Sequence, residues 1–180
     1  MVAYADHVEA VDLTASTWPR FTAAPLPAEP VAVGDGWAAW TQAGEARDVW
    51  IVALAGEVGG LEKGRPTVIG GGPEDQHHVA GAARSVWWVE PDQVVRYDVD
   101  LQVRSTFPAD TGFMAGLAVN DDGTVACWED RAGLATGGDI DIRCSSGLHL
   151  ERAGDQRWPS MGGVYLMWRE GRQVVVGRMP

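Results

Sequence analysis

Lysine is almost missing from this chain: Lys63 is the only one among 180 residues, and every other basic side chain is arginine. Lys and Arg together number 14 against 25 Asp and Glu, for a formal charge of −11 and an isoelectric point near 4.6. Phosphate recognition rests on clustered cations, and none cluster here, which excludes a nucleic-acid partner or an anionic membrane surface. No uninterrupted apolar run approaches the ~18 residues of a spanning helix, so membrane insertion is not expected. The first ten residues carry Asp6 and Glu9 and have neither a basic leader nor an apolar stretch, so no signal peptide is expected within this chain. Cysteine is scarce too. Cys127 and Cys144 are too few for a disulfide framework or a four-ligand zinc site.

Catalytic signatures are equally sparse. There is no Gly-x-Ser-x-Gly elbow and no Cys–His spacing with a recognised meaning. Gly70-Gly71-Gly72-Pro73 opens no helix that would bind a phosphate, so it reads as a turn. No window carries an apolar face at 3.6-residue spacing, which argues against helix throughout. No enzymatic activity and no cofactor are expected.

What the chain has in abundance is punctuation and tryptophan, with 23 Gly, 10 Pro and nine Trp. An apolar share of 46% is ordinary for a globular protein, and a chain of 180 residues is expected to form one domain. The tryptophans are spaced. Ala38-Ala39-Trp40, Val86-Trp87-Trp88, Val125-Ala126-Cys127-Trp128 and Tyr165-Leu166-Met167-Trp168 superimpose, with their final Trp 48, 40 and 40 residues apart. Val2-Ala3-Tyr4 is a weaker copy, 36 residues before Trp40. Gln76 stands twelve residues before Trp88 and Gln156 twelve before Trp168, each preceded by Asp. Gly-containing turns precede the aromatic strand at 34–36, 121–123 and 162–163. A second alternating strand follows each copy, at 8–11, 49–52, 94–97, 140–143 and 174–176. Period-2 alternation with β-branched residues and short Gly/Asp turns is a hairpin signal.

A repeat of about 40 residues with three or four strands cannot bury both of its faces alone, but radial stacking covers them. The expected architecture is therefore all-β: a small β-propeller of four or five blades over residues 1–180, or a propeller segment completed by another chain. The repeated Trp are assigned to the wedges between blades. Asp-Gln-x-x-Pro, a Gly turn, an apolar strand ending in Trp, then Glu-Asp and Asp-Ile resembles the TolB-like β-propeller repeats. Residues 155–168 carry the resemblance best, together with Trp128-Glu129-Asp130-Arg131 and Gly138-Asp139-Ile140-Asp141-Ile142. Val79 departs from it at the proline position, and the chain is short for the larger rings of that family. The resemblance implies a protein-binding or assembly module, periplasmic or exported if a leader has been removed and otherwise cytoplasmic.

Loops leading into each innermost strand would rim the central channel. Repeat registration puts Ala28-Glu29, Gln76-His77-His78, Phe113-Met114 and Gln156-Arg157-Trp158 there, a mixture of aromatic anchors and adaptable polar groups suited to recognition. The competing structural role for the two Asp-Gln pairs is to fasten blade to blade through backbone hydrogen bonds. His77 and His78 are neighbours on a strand and lack companion ligands, so zinc is not expected. Glu129, Asp130, Asp139 and Asp141 flank one hairpin and form an oxygen-rich set for calcium. The plainer reading, a solvated turn whose acids bind Arg131 or cap amides, is favoured. Cys127 and Cys144 sit on the two arms of that hairpin, where the spacing permits a disulfide without requiring one. The leading functional expectation is a non-enzymatic module presenting its rim loops to a protein or peptide. A glycan-binding or glycan-active propeller, with Trp158 or Trp18 stacked on a sugar, is one alternative. A blade set completing a larger propeller, with self-association through unpaired blade edges, is the other.

Overall fold

A computed structural model describes residues 31–42, 47–54, 56–110 and 116–180 in full and residues 2–3, 8–11 and 20–23 as backbone strands. Among the described residues, eighteen strands form five antiparallel sheets, and the only helical element is a 3₁₀ turn at Ala132–Thr136. The first sheet holds β1 (Val2–Ala3), β2 (Val8–Val11) and β3 (Arg20–Ala23). The second runs β4 (Ala32–Gly34), β5 (Trp37–Thr41), β6 (Val49–Ala53) and β7 (Thr67–Gly70). The third runs β8 (His77–Ala82), β9 (Ser85–Glu90), β10 (Gln93–Asp98) and β11 (Val103–Pro108). The fourth holds β12 (Leu117–Val119), β13 (Ala126–Asp130), β14 (Asp141–Cys144) and β15 (His149–Leu150). The fifth holds β16 (Gln156–Gly162), β17 (Tyr165–Glu170) and β18 (Gln173–Arg178).

Strand order within every sheet follows chain order, so each is a meander. β4 lies against β8, β8 against β12, and β12 against β16, so sheets two to five share an inner layer of first strands. That is the arrangement of propeller blades.

The cores lie between blades. Trp88 joins Trp37, Ala39, Val49 and Ile51 in a cluster that links blades two and three. Trp128 packs with Trp87, Val89 and Val94 of blade three. Trp168 packs with Cys127, Ile142 and Cys144 of blade four. Trp88, Trp128 and Trp168 therefore reach back to the preceding blade in the wedge role expected of the series, whereas Trp40 packs with Ala38, Val52 and Trp50 of its own blade. A planar, wide side chain fills a gap that broadens outward from the axis, which shorter aliphatics would leave partly empty.

Hairpin turns sew the blades together at one end of the stack. Asp35 N–H and Trp37 Nε1–H both donate to Ala83 O at 2.8 Å, and Trp87 Nε1–H donates to Gly123 O at 3.0 Å. Gly163 N–H donates to Asp121 Oδ2 at 2.9 Å. These approaches demand glycine: a Cβ at Gly34 would lie 2.5 Å from Ala83 O, and one at Gly123 would lie 2.4 Å from Ala82 O. Cys127 and Cys144 are directly paired across β13 and β14, with Cα atoms 4.0 Å apart, and form a disulfide.

Candidate binding site

At the opposite end of the stack, blades three and five repeat one local device. Asp75 Oδ1 accepts Arg47 N–H at 3.1 Å, and Gln76 N–H donates to Arg47 O at 3.2 Å. Eighty residues on, Asp155 Oδ1 accepts Ile140 N–H at 3.1 Å and Gln156 N–H donates to Ile140 O at 2.7 Å. Each Asp-Gln pair thus ties its blade to the third-strand region of the blade before. Gln76 and Gln156 are 1% and 0% exposed. Both were expected on the recognition surface; their carboxamides instead turn inward, where Gln76 Nε2 donates to Glu74 O and Gln156 Nε2 to Arg152 O. They shape the rim from beneath and offer it no surface.

A register shift follows in both strands, between His77 and Ala80 and between Arg157 and Ser160. The bulge puts His78 at φ 50° and Trp158 at φ 55°, a left-handed conformation uncommon for large residues. From the shared scaffold the two copies diverge. His77 was also expected at the surface but is buried, its Nε2 3.0 Å from Asp75 Oδ2 and its Nδ1 against the Arg47 guanidinium. His78 stands half-buried beside it, the ring centroids 6.3 Å apart.

In blade five, Trp158 is 60% exposed. Its backbone N–H donates to Glu129 Oε1 at 2.8 Å, and Glu129, 1% exposed, also lies 3.5 Å from Arg131 Nη2. A buried carboxylate thus satisfies a backbone donor that the bulge withdraws from the ladder, and holds the strained residue in place. The Arg169 guanidinium covers one face of the Trp158 ring at 4.6 Å, within cation–π range. Arg157 pairs across the strands with Arg169 and donates to Asp155 Oδ2 through Nη2 at 2.8 Å. Asp155, Arg157, Trp158, Arg169 and Gly171 line a cavity of about 320 Å³.

The Arg157 guanidinium, with help from Ile140 N–H, holds the Asp155 carboxyl below the usual carboxylate range. A depressed folded pKa contributes stability above the unfolded value of about 3.9, and that contribution fades as pH falls through the lower folded value. Asp155→Asn should therefore flatten the acid limb of the urea-midpoint profile between about pH 2 and pH 5. Because the pair is largely solvated, the loss at neutral pH should stay below about 1 kcal/mol. An unchanged acid limb would contradict this linkage.

The four carboxylates considered for calcium do not converge. Glu129 serves Trp158; Asp130 is buried against the Arg143 guanidinium and accepts Ala132 N–H; Asp139 Oδ2 accepts Gly154 N–H at 2.7 Å. Asp141 turns instead to His149 and Glu151, their ligand atoms within 4.8 Å of one another. Phe113 and Met114, with Trp18, Ala28 and Glu29, lie outside the described residues. Arg169 was not anticipated. It occupies the position after the repeated Trp that holds Thr41, Val89 and Glu129 in the other copies, and an arginine among those was the available signal.

Past this cavity, the outer face of blade five is open. Met167, Val174 and Val176 are 40%, 73% and 57% exposed, whereas Trp87 and Val94, the blade-three counterparts of Met167 and Val174, are fully buried under blade four.

Meandering sheets with a shared inner layer and interblade tryptophans define a β-propeller. TolB from Acinetobacter baumannii is similar in structure, with a TM-score of 0.63 and 12% identity over 96% of this chain and 46% of that one. So is KlAtg21 in its complex with the coiled coil of AgAtg16, with a TM-score of 0.61 and 11% identity over 83% of this chain and 51% of that one. The chain thus spans about half the length of these structural relatives. No family model and no curated protein matches the sequence.

Proposed function

We propose that this chain is a non-enzymatic recognition module that presents the blade-five rim to a protein or peptide. The observation that carries the reading is Trp158: a large aromatic, mostly exposed, held on a strained bulge by a buried carboxylate and opening onto a cavity. Exposed tryptophan and arginine are the residue types that dominate protein-recognition energy. KlAtg21, bound to the coiled coil of AgAtg16, is an instance of the fold serving a protein partner. Arg169 lies over one face of the indole and leaves the other face for a partner's side chain.

The test is selection from a displayed library of random dodecapeptides, followed by affinity measurement with the Trp158→Ala protein. Binding should fall by roughly 30-fold, a hot-spot loss, while the urea midpoint stays close to wild type. A large stability loss would assign Trp158 to the core. Enrichment of no peptide, with binding on a glycan array, would move the module to the sugar class.

A second reading, a blade set completing a larger propeller, is supported by the open apolar face of blade five. Native mass spectrometry separates the two: an obligate multimer favours completion, and a stable monomer favours the rim reading.

A further inference from the structure

We infer that the blade-five cavity takes a carboxylate from its peptide partner, held between the Arg157 and Arg169 guanidinium groups with the neighbouring apolar residue against Trp158. This rests on the rim reading and names its ligand chemistry. Blades three and five share the Asp-Gln fastening, the bulge and the left-handed residue, so packing dictates the scaffold in both. Packing does not dictate the difference. Where blade three has buried His77 paired with buried Val89, blade five has Arg157 paired with Arg169, both reaching solvent.

Two cations on adjacent strands repel unless an anion lies between them. Asp155 serves Arg157. Arg169 donates Nε–H to Gly171 O and has no ion pair among the described residues. Its fork is therefore available, in a protein whose overall charge is −11. Two arginines and one aspartate leave the cavity with one net positive charge, which matches a carboxylate. A phosphate monoester, carrying close to two negative charges, would be under-compensated. The exposed indole beside the cations suits an acidic residue flanked by an aliphatic one, because stacking and ion pairing then act on adjacent side chains.

The experiment uses protein with ¹⁵N-labelled tryptophan, whose Trp158 indole signal is assigned by its loss in Trp158→Phe. N-acetyl-Leu-Glu-Leu-amide is titrated at millimolar concentrations beside its Gln and phosphoserine counterparts. The Glu peptide should shift the Trp158 signal saturably and bind about tenfold tighter than the Gln peptide, and Arg169→Gln should abolish that preference while the other indole signals stay put. Equal binding of the Glu and Gln peptides, or no shift with either, overturns the carboxylate assignment. Tighter binding of the phosphoserine peptide also overturns it and gives the cavity to a phosphorylated partner. Peptides from the library that need Trp158 but no acidic residue would leave the rim reading standing while this inference falls.

Discussion

Replacing Trp88 by alanine is expected to destabilise the protein by about 3–5 kcal/mol, the usual range for deleting a large buried aromatic. Trp88 is fully buried, and its ring lies close enough to Gly70 that a Cβ there would stand 3.1 Å away. The contact crosses from blade three to blade two, so the cavity left by truncation opens between sheets. Two meandering sheets cannot easily collapse onto it, because hairpin-turn hydrogen bonds at one end and the Asp75–Arg47 tie at the other fix their separation. The melting temperature should fall by roughly 10 °C. A loss under about 1 kcal/mol would mean that the blades do not depend on their tryptophans.

Removing the disulfide should be the next largest effect. Cys127 and Cys144 are 17 residues apart in sequence, and the Cys127→Ala/Cys144→Ala pair should cost roughly 3 kcal/mol through a looser unfolded chain. Both sulfurs sit among Ile142, Leu166 and Trp168 between blades four and five, so truncation also removes packing there. Comparing urea unfolding of oxidised wild type, reduced wild type and the double variant separates the two contributions. Reduction alone reports the crosslink, and the double variant adds the packing. If reduction leaves the midpoint unchanged, the bond is not a structural one.

The architecture was largely legible because one physical requirement repeats. A Trp-tipped strand every 40 residues or so marked β5, β9, β13 and β17, and the alternation after each turn marked β6, β10, β14 and β18. Cys127 and Cys144 could be placed on the two arms of one hairpin, but their direct pairing could not be read, because the long connection between Asp130 and Asp141 fixes no register. The site was harder to read. Gln76 and Gln156 look like surface amides in a sequence, and only the backbone carbonyls they serve explain their burial. His77 and Arg157 occupy equivalent positions and have opposite fates, because Arg47 and Asp75 enclose one while the open side of blade five leaves the other in solvent. Glu129 reads as a hairpin acid, but it serves the Trp158 N–H, a partner 29 residues away. Such pairings depend on how the bulge turns one N–H out of its ladder, which no spacing rule encodes.

Sheets that shield one another face to face hold this fold together, and interblade nuclear Overhauser effects test that shielding directly. Contacts from the Trp37 ring to Gly81 and from the Trp88 ring to Gly70 should be strong, since both pairs link neighbouring blades at van der Waals range. Their absence, in a protein whose contacts within each sheet remain intact, would contradict the propeller and the rim built on it.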